Sequence, residues 1–178
     1  MEFRHVTSAQ DAALPVVQYL YESSFPVQER RYFNALLSML DNNVMTCVAV
    51  WDGGEVIAML VYWKLASCHF VEHLAVHPGK RGRQYGGRIV KWLQEQLASL
   101  PLLLEVELPQ DEWSIRRIGF YERLGFELLH YDYLQPSYHE AGVFYPLKIM
   151  MQQPLPDAAT YQAMIAEVHK VVYGVGKQ

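Results

Sequence analysis

The chain has 178 residues, 51% of them hydrophobic and 19% charged, which suits a packed core and excludes a disordered chain. Its 15 Lys and Arg against 19 Asp and Glu give a net charge of −4, which argues against a general nucleic-acid binder. No apolar run reaches the length of a membrane span, and the opening MEFRHVTSAQD carries early charges and no apolar leader segment. The expectation is a cytoplasmic, soluble, single-domain protein that binds neither nucleic acid nor membrane. Cys47 and Cys68 lie in apolar, strand-like segments and read as buried free thiols of a reducing compartment.

MEFRHV reads as a short strand. A helix follows from about Asp11 and a second from about Val27 to Leu40, with Pro26 at the break. MTCVAVWDGGEVIAMLVYWKL reads as a hairpin, two β-branched apolar runs around Asp52-Gly53-Gly54. CHFVEHLAVHP would suit a helix face or a strand, and its short length with the Pro78-Gly79 stop favours a strand. Tyr85, Ile89, Leu93, Leu97 and Leu100 then recur at helical spacing until Pro101. LLLEVEL is a buried strand, and a helix from about Trp113 to Leu124 ends at Gly125. FELLHYDYL reads as one further strand, Gln135 to Gly142 as a loop, and FYPLKIM as the last strand. Beyond Pro154 and Pro156, Asp157 caps a final helix ended by Gly174, with Ala158, Tyr161, Ile165, Val168 and Val172 as its apolar stripe. The order βααβββαβαββ plus a tail helix means a sheet with helices on its faces.

Where the fourth strand-like run passes into the helix from Tyr85 lies VHPGKRGRQYGGRI, rich in both glycine and arginine. The phosphate-loop pattern fails, since no glycine stands five residues before Gly79 and Arg81 follows Lys80. The dinucleotide pattern fails too, because Gly79, Gly82, Gly86 and Gly87 are wrongly spaced. What remains is a strand, a basic glycine turn and a helix start, a combination that gathers N–H groups and positive charge on an anion. The same composition also suits an ordinary solvated loop.

VHPGKRGRQYGGRIVKWL resembles the acetyl-CoA-binding motif of the GNAT superfamily of N-acetyltransferases, in which a strand ending near Val-x-Pro precedes Gln/Arg-x-x-Gly-x-Gly/Ala. Arg81, Gly82, Arg83, Gln84, Tyr85 and Gly86 fill the six positions, and Gln84 stands where the family usually has glycine. IGFYERLGFELL, from Ile118 to Leu129, resembles the later helix-turn-strand of the same family, often written FYxxxGF. The likeness covers residues 1–150, and the helix over about 157–173 is an addition to the common core.

The resemblance implies an α/β (α+β) fold, a mixed, mostly antiparallel central sheet flanked by helices. It implies acetyl-CoA as cosubstrate, in a split between two central strands. Backbone groups of Leu74, Ala75 and Val76 would hold the pantetheine arm, and Arg81, Gly82, Arg83, Gln84, Tyr85, Gly86 and Gly87 the pyrophosphate. An N–H near Leu74 would support the oxyanion. A primary amine, on a small molecule or a peptide, would attack directly in a ternary complex. Tyr121 matches the tyrosine that serves as general acid, and Glu72 the carboxylate that removes the amine proton.

Each residue also has a plainer reading. Tyr121 would pack on Phe126 across the Gly125 turn. Glu72 would be a solvated or salt-bridged strand carboxylate, with Glu105 and Glu107 as alternative bases. His69, His73 and His77 do not form a metal set, since on a strand the outer two stand roughly 26 Å apart at about 3.3 Å per residue. His73 stays open as another base. SFPVQERRYF and YDYLQPSYHEAG would wall the acceptor cleft, or their tyrosines would be turn and surface residues. The rival function is an acyl-CoA-binding or sensing module without turnover, which Gln84 favours. No metal is implied, and the apolar stripe of the last helix would pack on its own chain or form a homodimer.

Overall fold

A computed structural model describes residues 1–152 and 156–175, so Pro154 lies outside the described residues. Its elements are β1 (Glu2–His5), α1 (Leu14–Ser24), α2 (Phe33–Leu37), β2 (Met45–Asp52), β3 (Glu55–Lys64), β4 (His69–Val76) and α3 (Tyr85–Gln96). There follow β5 (Leu102–Val106), α4 (Glu112–Glu122), β6 (Phe126–Leu128), β7 (Tyr133–Pro136), β8 (Phe144–Gln152) and α5 (Ala158–Val171). The eight strands make a mixed, mostly antiparallel sheet flanked by helices, the expected fold class.

The chain divides into two compact units, Met1–Lys64 with Val71–Arg88, and Leu65–Phe70 with Ile89–Gln178. In the first, β1 pairs antiparallel with β2 and β2 with β3, and β4 lies beside β3. The Asp52-Gly53-Gly54 turn forms as expected, with Gly53 at φ +59° and Gly54 at φ +82°. β3 is buried on both faces, every residue from Ile57 to Trp63 being in the core. α1 starts later than Asp11, whose carboxylate accepts from the Ala13 amide at 2.8 Å and closes a turn ahead of the helix.

The second helix is the main departure in this unit. Instead of one helix over Val27 to Leu40, a single 3₁₀ turn (Val27–Glu29) is followed by extended residues at Arg30 and Tyr32, and α2 spans only Phe33–Leu37. The reason is tertiary. Arg31, which a continuous helix would carry outward or onto apolar neighbours, is pulled into an ion pair with buried Glu72. That contact outweighs local helix propensity, which is worth only tenths of a kcal/mol per residue.

In the second unit β5 and β6 both pair antiparallel with β8, and β7 pairs with β8 further along. FELLHYDYL is therefore two strands, not one. Leu128 stands opposite Met150 and Tyr133 opposite Leu147, so five steps along one strand match three along the other and two residues bulge out. The bulge is held: Lys148 Nζ donates to the Tyr131 carbonyl at 3.2 Å, and the Tyr131 ring stacks on Tyr161 of α5 at 4.4 Å.

α5 forms where the stripe and caps place it. Asp157 accepts from the Thr160 amide at 2.8 Å, and Gly174 is left-handed at φ +71°. Tyr161, Ile165, Val168 and Val172 are buried within the chain itself, while Ala158 is exposed and does not belong to the stripe. That burial is the packing on its own chain, so the stripe gives no reason to invoke a second copy. Glu167 adds a polar anchor, accepting from the Ala66 amide at 2.7 Å and the Ser67 amide at 3.0 Å. Cys47 and Cys68 are both free and buried, and burial pushes each thiol up to about 12. Among the described residues, no helix is long and apolar enough to cross a membrane.

Candidate active site

The basic turn joins β4 to α3 within the first unit. Past Val76, His77 caps a 3₁₀ turn (Pro78–Lys80), its Nδ1 accepting from the Gly79 amide at 3.2 Å. Arg81 folds back and donates from Nε to the Val76 carbonyl at 3.2 Å. Two residues then take the left-handed conformation, Gly82 at φ +78° and Gln84 at φ +61°. Among the described residues Gln84 is the one non-glycine there. An L-residue so placed costs roughly 1–2 kcal/mol. The motif position where the family carries glycine thus keeps glycine's backbone shape without its freedom.

α3 opens on Tyr85, Gly86 and Gly87, with no acidic residue in its first turn. N–H groups of a first turn have no acceptor inside their own helix, and they sit at its positive end. The Arg88 amide reaches the Gln84 carbonyl at 3.2 Å, which puts Gln84 at the cap position. Arg81, Gly82, Arg83 and Gln84 are exposed, and Tyr85 to Gly87 are half-buried. Tyr85 also ties the helix start to the β2–β3 hairpin, its hydroxyl donating to Asp52 Oδ2 at 2.5 Å. That bond holds the Asp52 carboxyl below its ordinary range and raises the Tyr85 phenol. Lys80 is drawn to Glu55 in the same way, at 2.6 Å. The arrangement can bind a phosphate or pyrophosphate through backbone N–H groups, with Arg81, Arg83 and Arg88 nearby in sequence.

On β4, Leu74 and Val76 are half-buried and alternate with buried His73 and Ala75. Glu72 has a side chain only 1% exposed, and its carboxylate is ion-paired with Arg31. Its other oxygen accepts from Trp63 Nε1 at 2.7 Å, and Arg31 lies over the Trp63 ring at 5.3 Å. So Glu72 is a salt-bridged strand carboxylate in this structure, held between β3 and the segment that joins the first two helices. His73 Nε2 stands 3.8 Å from Glu72, and the ring sits between Tyr21 at 4.9 Å and Phe25 at 4.4 Å. Burial, the largest influence, lowers the His73 imidazole to about 4 despite that carboxylate, so it is neutral at pH 7. Arg31 and Trp63 were not foreseen. They lie 41 and nine positions from Glu72, and no local pattern in the sequence links them.

Tyr121 belongs to the second unit. It lies near the end of α4, half-buried, with its ring edge-on to Phe126 at 5.7 Å and Phe120 at 5.0 Å. Gly125, at φ +85°, turns the chain so that Phe126 can make this contact. Burial pushes the Tyr121 phenol up to about 12, with Glu107 adding to the rise and Arg117 opposing it. It is therefore a protonated donor throughout the neutral range. α4 is fixed at its other end by a capping box, Asp111 accepting from the Trp113 and Ser114 amides at 2.7 and 2.9 Å. Of the alternative bases, Glu107 is ion-paired with Arg117, and Glu105 accepts from Tyr133 and Tyr173. Among the described residues, no group of three or more His, Cys, Asp or Glu is arranged to hold a metal ion.

Comparison with known proteins bears on both units. Residues 14–126 match the family described as the Acetyltransferase (GNAT) family. A structure from Bacteroides thetaiotaomicron assigned to the GNAT family is 33% identical, with a TM-score of 0.90 over 98% of this chain and 99% of that one. An aminoglycoside 6′-N-acetyltransferase complexed with coenzyme A shares the fold at 19% identity, TM-score 0.60, over 88% of this chain and 100% of that one. So does the ribosomal-protein-S18-alanine N-acetyltransferase of Escherichia coli, at 16% identity and TM-score 0.61, over 88% and 98%. No curated protein matches the chain in sequence.

Proposed function

The chain belongs to the acetyltransferase (GNAT) family and is an acyltransferase, and we propose that it moves an acetyl group from acetyl-CoA to a primary amine by direct attack in a ternary complex. The observation that carries this is the β4–α3 connection, where two left-handed residues lead into the glycines of an acid-free helix start. In the proposal the N–H groups of residues 81–87 hold the pyrophosphate. Backbone groups of Leu74, Ala75 and Val76 hold the pantetheine arm, and an N–H near Leu74 steadies the oxyanion. A structural neighbour bound to coenzyme A supports the choice of cosubstrate. The acceptor is an amine on a small molecule or a peptide, as the N-acetyltransferases among the neighbours suggest. Buried free cysteines fit a reducing, cytoplasmic setting and give no nucleophile for an acetyl-enzyme.

Tyr121 is the proposed general acid. A phenol near 12 gives up no proton to solvent at pH 7, yet can donate to a departing thiolate. Glu72 is the proposed base, taking the amine proton through water. The Arg31 and Trp63 contacts favour a second role, in which Glu72 is a positioning residue for the segment between α1 and α2. Glu72→Gln separates the two: a base shifts the pH–rate profile toward alkali, whereas an anchor lowers the melting temperature and raises acceptor KM without moving the profile.

Thiol release from acetyl-CoA in the presence of a panel of primary amines tests the whole reading. Release above hydrolysis with at least one amine is expected. Stabilisation by CoA with no turnover of any amine would instead favour the binding module, for which the strained Gln84 is the relevant observation.

A further inference from the structure

Within its second unit the chain assembles another polar cluster, in which Glu105, inside the family-matched residues 14–126, meets residues that lie beyond them. Glu105 on β5 accepts from the Tyr133 hydroxyl of β7 and from the Tyr173 hydroxyl, which lies 2.8 Å from each of its oxygens just past α5. Gln135 on β7 donates from its amide to the Tyr173 hydroxyl at 3.2 Å. Tyr138 lays its ring 4.9 Å from that of Tyr173. Burial and the neighbouring carboxylate raise the Tyr133 and Tyr173 phenols, so both stay protonated and keep donating. Glu105, Tyr138 and Tyr173 are half-buried, so part of the cluster is open to solvent.

One acceptor beside the cluster is left over. The Gln135 carbonyl oxygen, in a residue only 2% exposed, has no hydrogen-bond partner. A buried acceptor left unpaired is costly, and a native structure keeps one where something else supplies the proton. Here the absent donor would sit against a carboxylate and phenol rings. A cation gains from both, through charge-assisted hydrogen bonds and through the ring faces. An ammonium group brings three N–H donors, enough for the carboxylate, the amide carbonyl and a phenol oxygen at once.

We propose that Glu105, Gln135, Tyr138 and Tyr173 form an ammonium-binding site completed by the C-terminal helix. The proposal goes beyond the reading of the chain as an amine acetyltransferase and concerns the second unit alone. The ligand class is an alkylammonium, which a diamine or larger polycationic amine carries at neutral pH. The added helix sets specificity by delivering Tyr173.

Isothermal titration of the full chain with 1,4-diaminobutane and with 1,4-butanediol, without CoA, tests the site apart from turnover. Saturable binding of the diamine and none of the diol is expected. Glu105→Gln, which keeps the shape and removes the charge, weakens diamine binding by about tenfold or more. Gln135→Met removes the unpaired carbonyl, so it raises the melting temperature while weakening the diamine by a similar factor. If Glu105→Gln does not fold, Gln135→Met carries the test. Equal binding of diol and diamine, binding of neither, or wild-type diamine affinity in the folded variants would overturn the site and leave a latch that closes α5 on the sheet. Diamine binding without thiol release from any amine would count against the proposed function alone.

Discussion

At the end of α4 the left-handed position is filled by Gly125, at φ +85°, whereas at the start of α3 it is filled by Gln84, at φ +61°. The two turns do different work. The first is a helix stop that brings Phe126 onto Tyr121, and glycine makes it without strain. The second opens the helix proposed to face an anion, and it keeps a strained residue in an exposed turn where nothing about packing demands one. Strain of this kind persists where the surroundings over-determine the backbone. Here the Arg81 bond to Val76, the His77 cap and the Tyr85 tie to Asp52 clamp the turn on three sides. The lesson is that the motif's backbone shape, rather than its glycine, is what this chain has retained.

The widest separation between the two regions is in catalysis. Tyr121→Phe keeps the ring contacts at the glycine stop and removes the donor, so kcat falls by about 10²–10⁴-fold with little change in melting temperature. An unchanged kcat would reduce the Gly125 turn to packing alone.

The next effect is a pH dependence seated beside Glu72 on β4. Burial lowers the folded-state His73 imidazole to about 4, with Glu72 opposing the shift and Arg31 and Arg30 adding to it, against about 6.5 when unfolded. Between those values the unfolded chain binds a proton that the folded chain does not. Stability therefore falls as pH drops through that window, by up to about 1.4 kcal/mol per pH unit. Melting temperatures from pH 7 to 4 should show this slope in the wild type and a smaller one in His73→Phe. Equal slopes would place the acid sensitivity elsewhere.

The smallest effects are opposite in sign and test the comparison itself. A Cβ added at Gly125 meets no atom within 4 Å, so Gly125→Ala exposes the backbone cost alone. A loss of roughly 1–2 kcal/mol, or about 2–8 °C, is expected. Gln84→Gly removes the same cost but adds glycine's entropy, which leaves a gain of up to about 1 kcal/mol. Calorimetry that found both variants destabilised would show that Gln84 makes contacts worth more than its strain.

Much of this arrangement was legible because it is local. Asp52-Gly53-Gly54, the β4–turn–α3 segment and the caps of α5 each write their geometry into neighbouring residues. What was hidden depends on partners far apart in sequence. Arg31 leaves its helix for Glu72, a residue 41 positions away. The bulge that splits β6 from β7 is held by Lys148 and Tyr161, neither of which adjoins it in sequence. Glu72 and Tyr121 could be singled out by the motifs around them. That Glu72 is engaged by a guanidinium and an indole could not.

The proposed hold of the turn from Arg81 to Gly87 on the pyrophosphate of acetyl-CoA is tested by the dissociation constant for CoA in wild type and Gly86→Val. A β-branched side chain in the first turn of α3 obstructs the approach of phosphate to the backbone. Gly86→Val is expected to fold and to bind CoA about tenfold more weakly or worse, equivalent to about 1.4 kcal/mol. A folded Gly86→Val protein that binds CoA as the wild type does would contradict it.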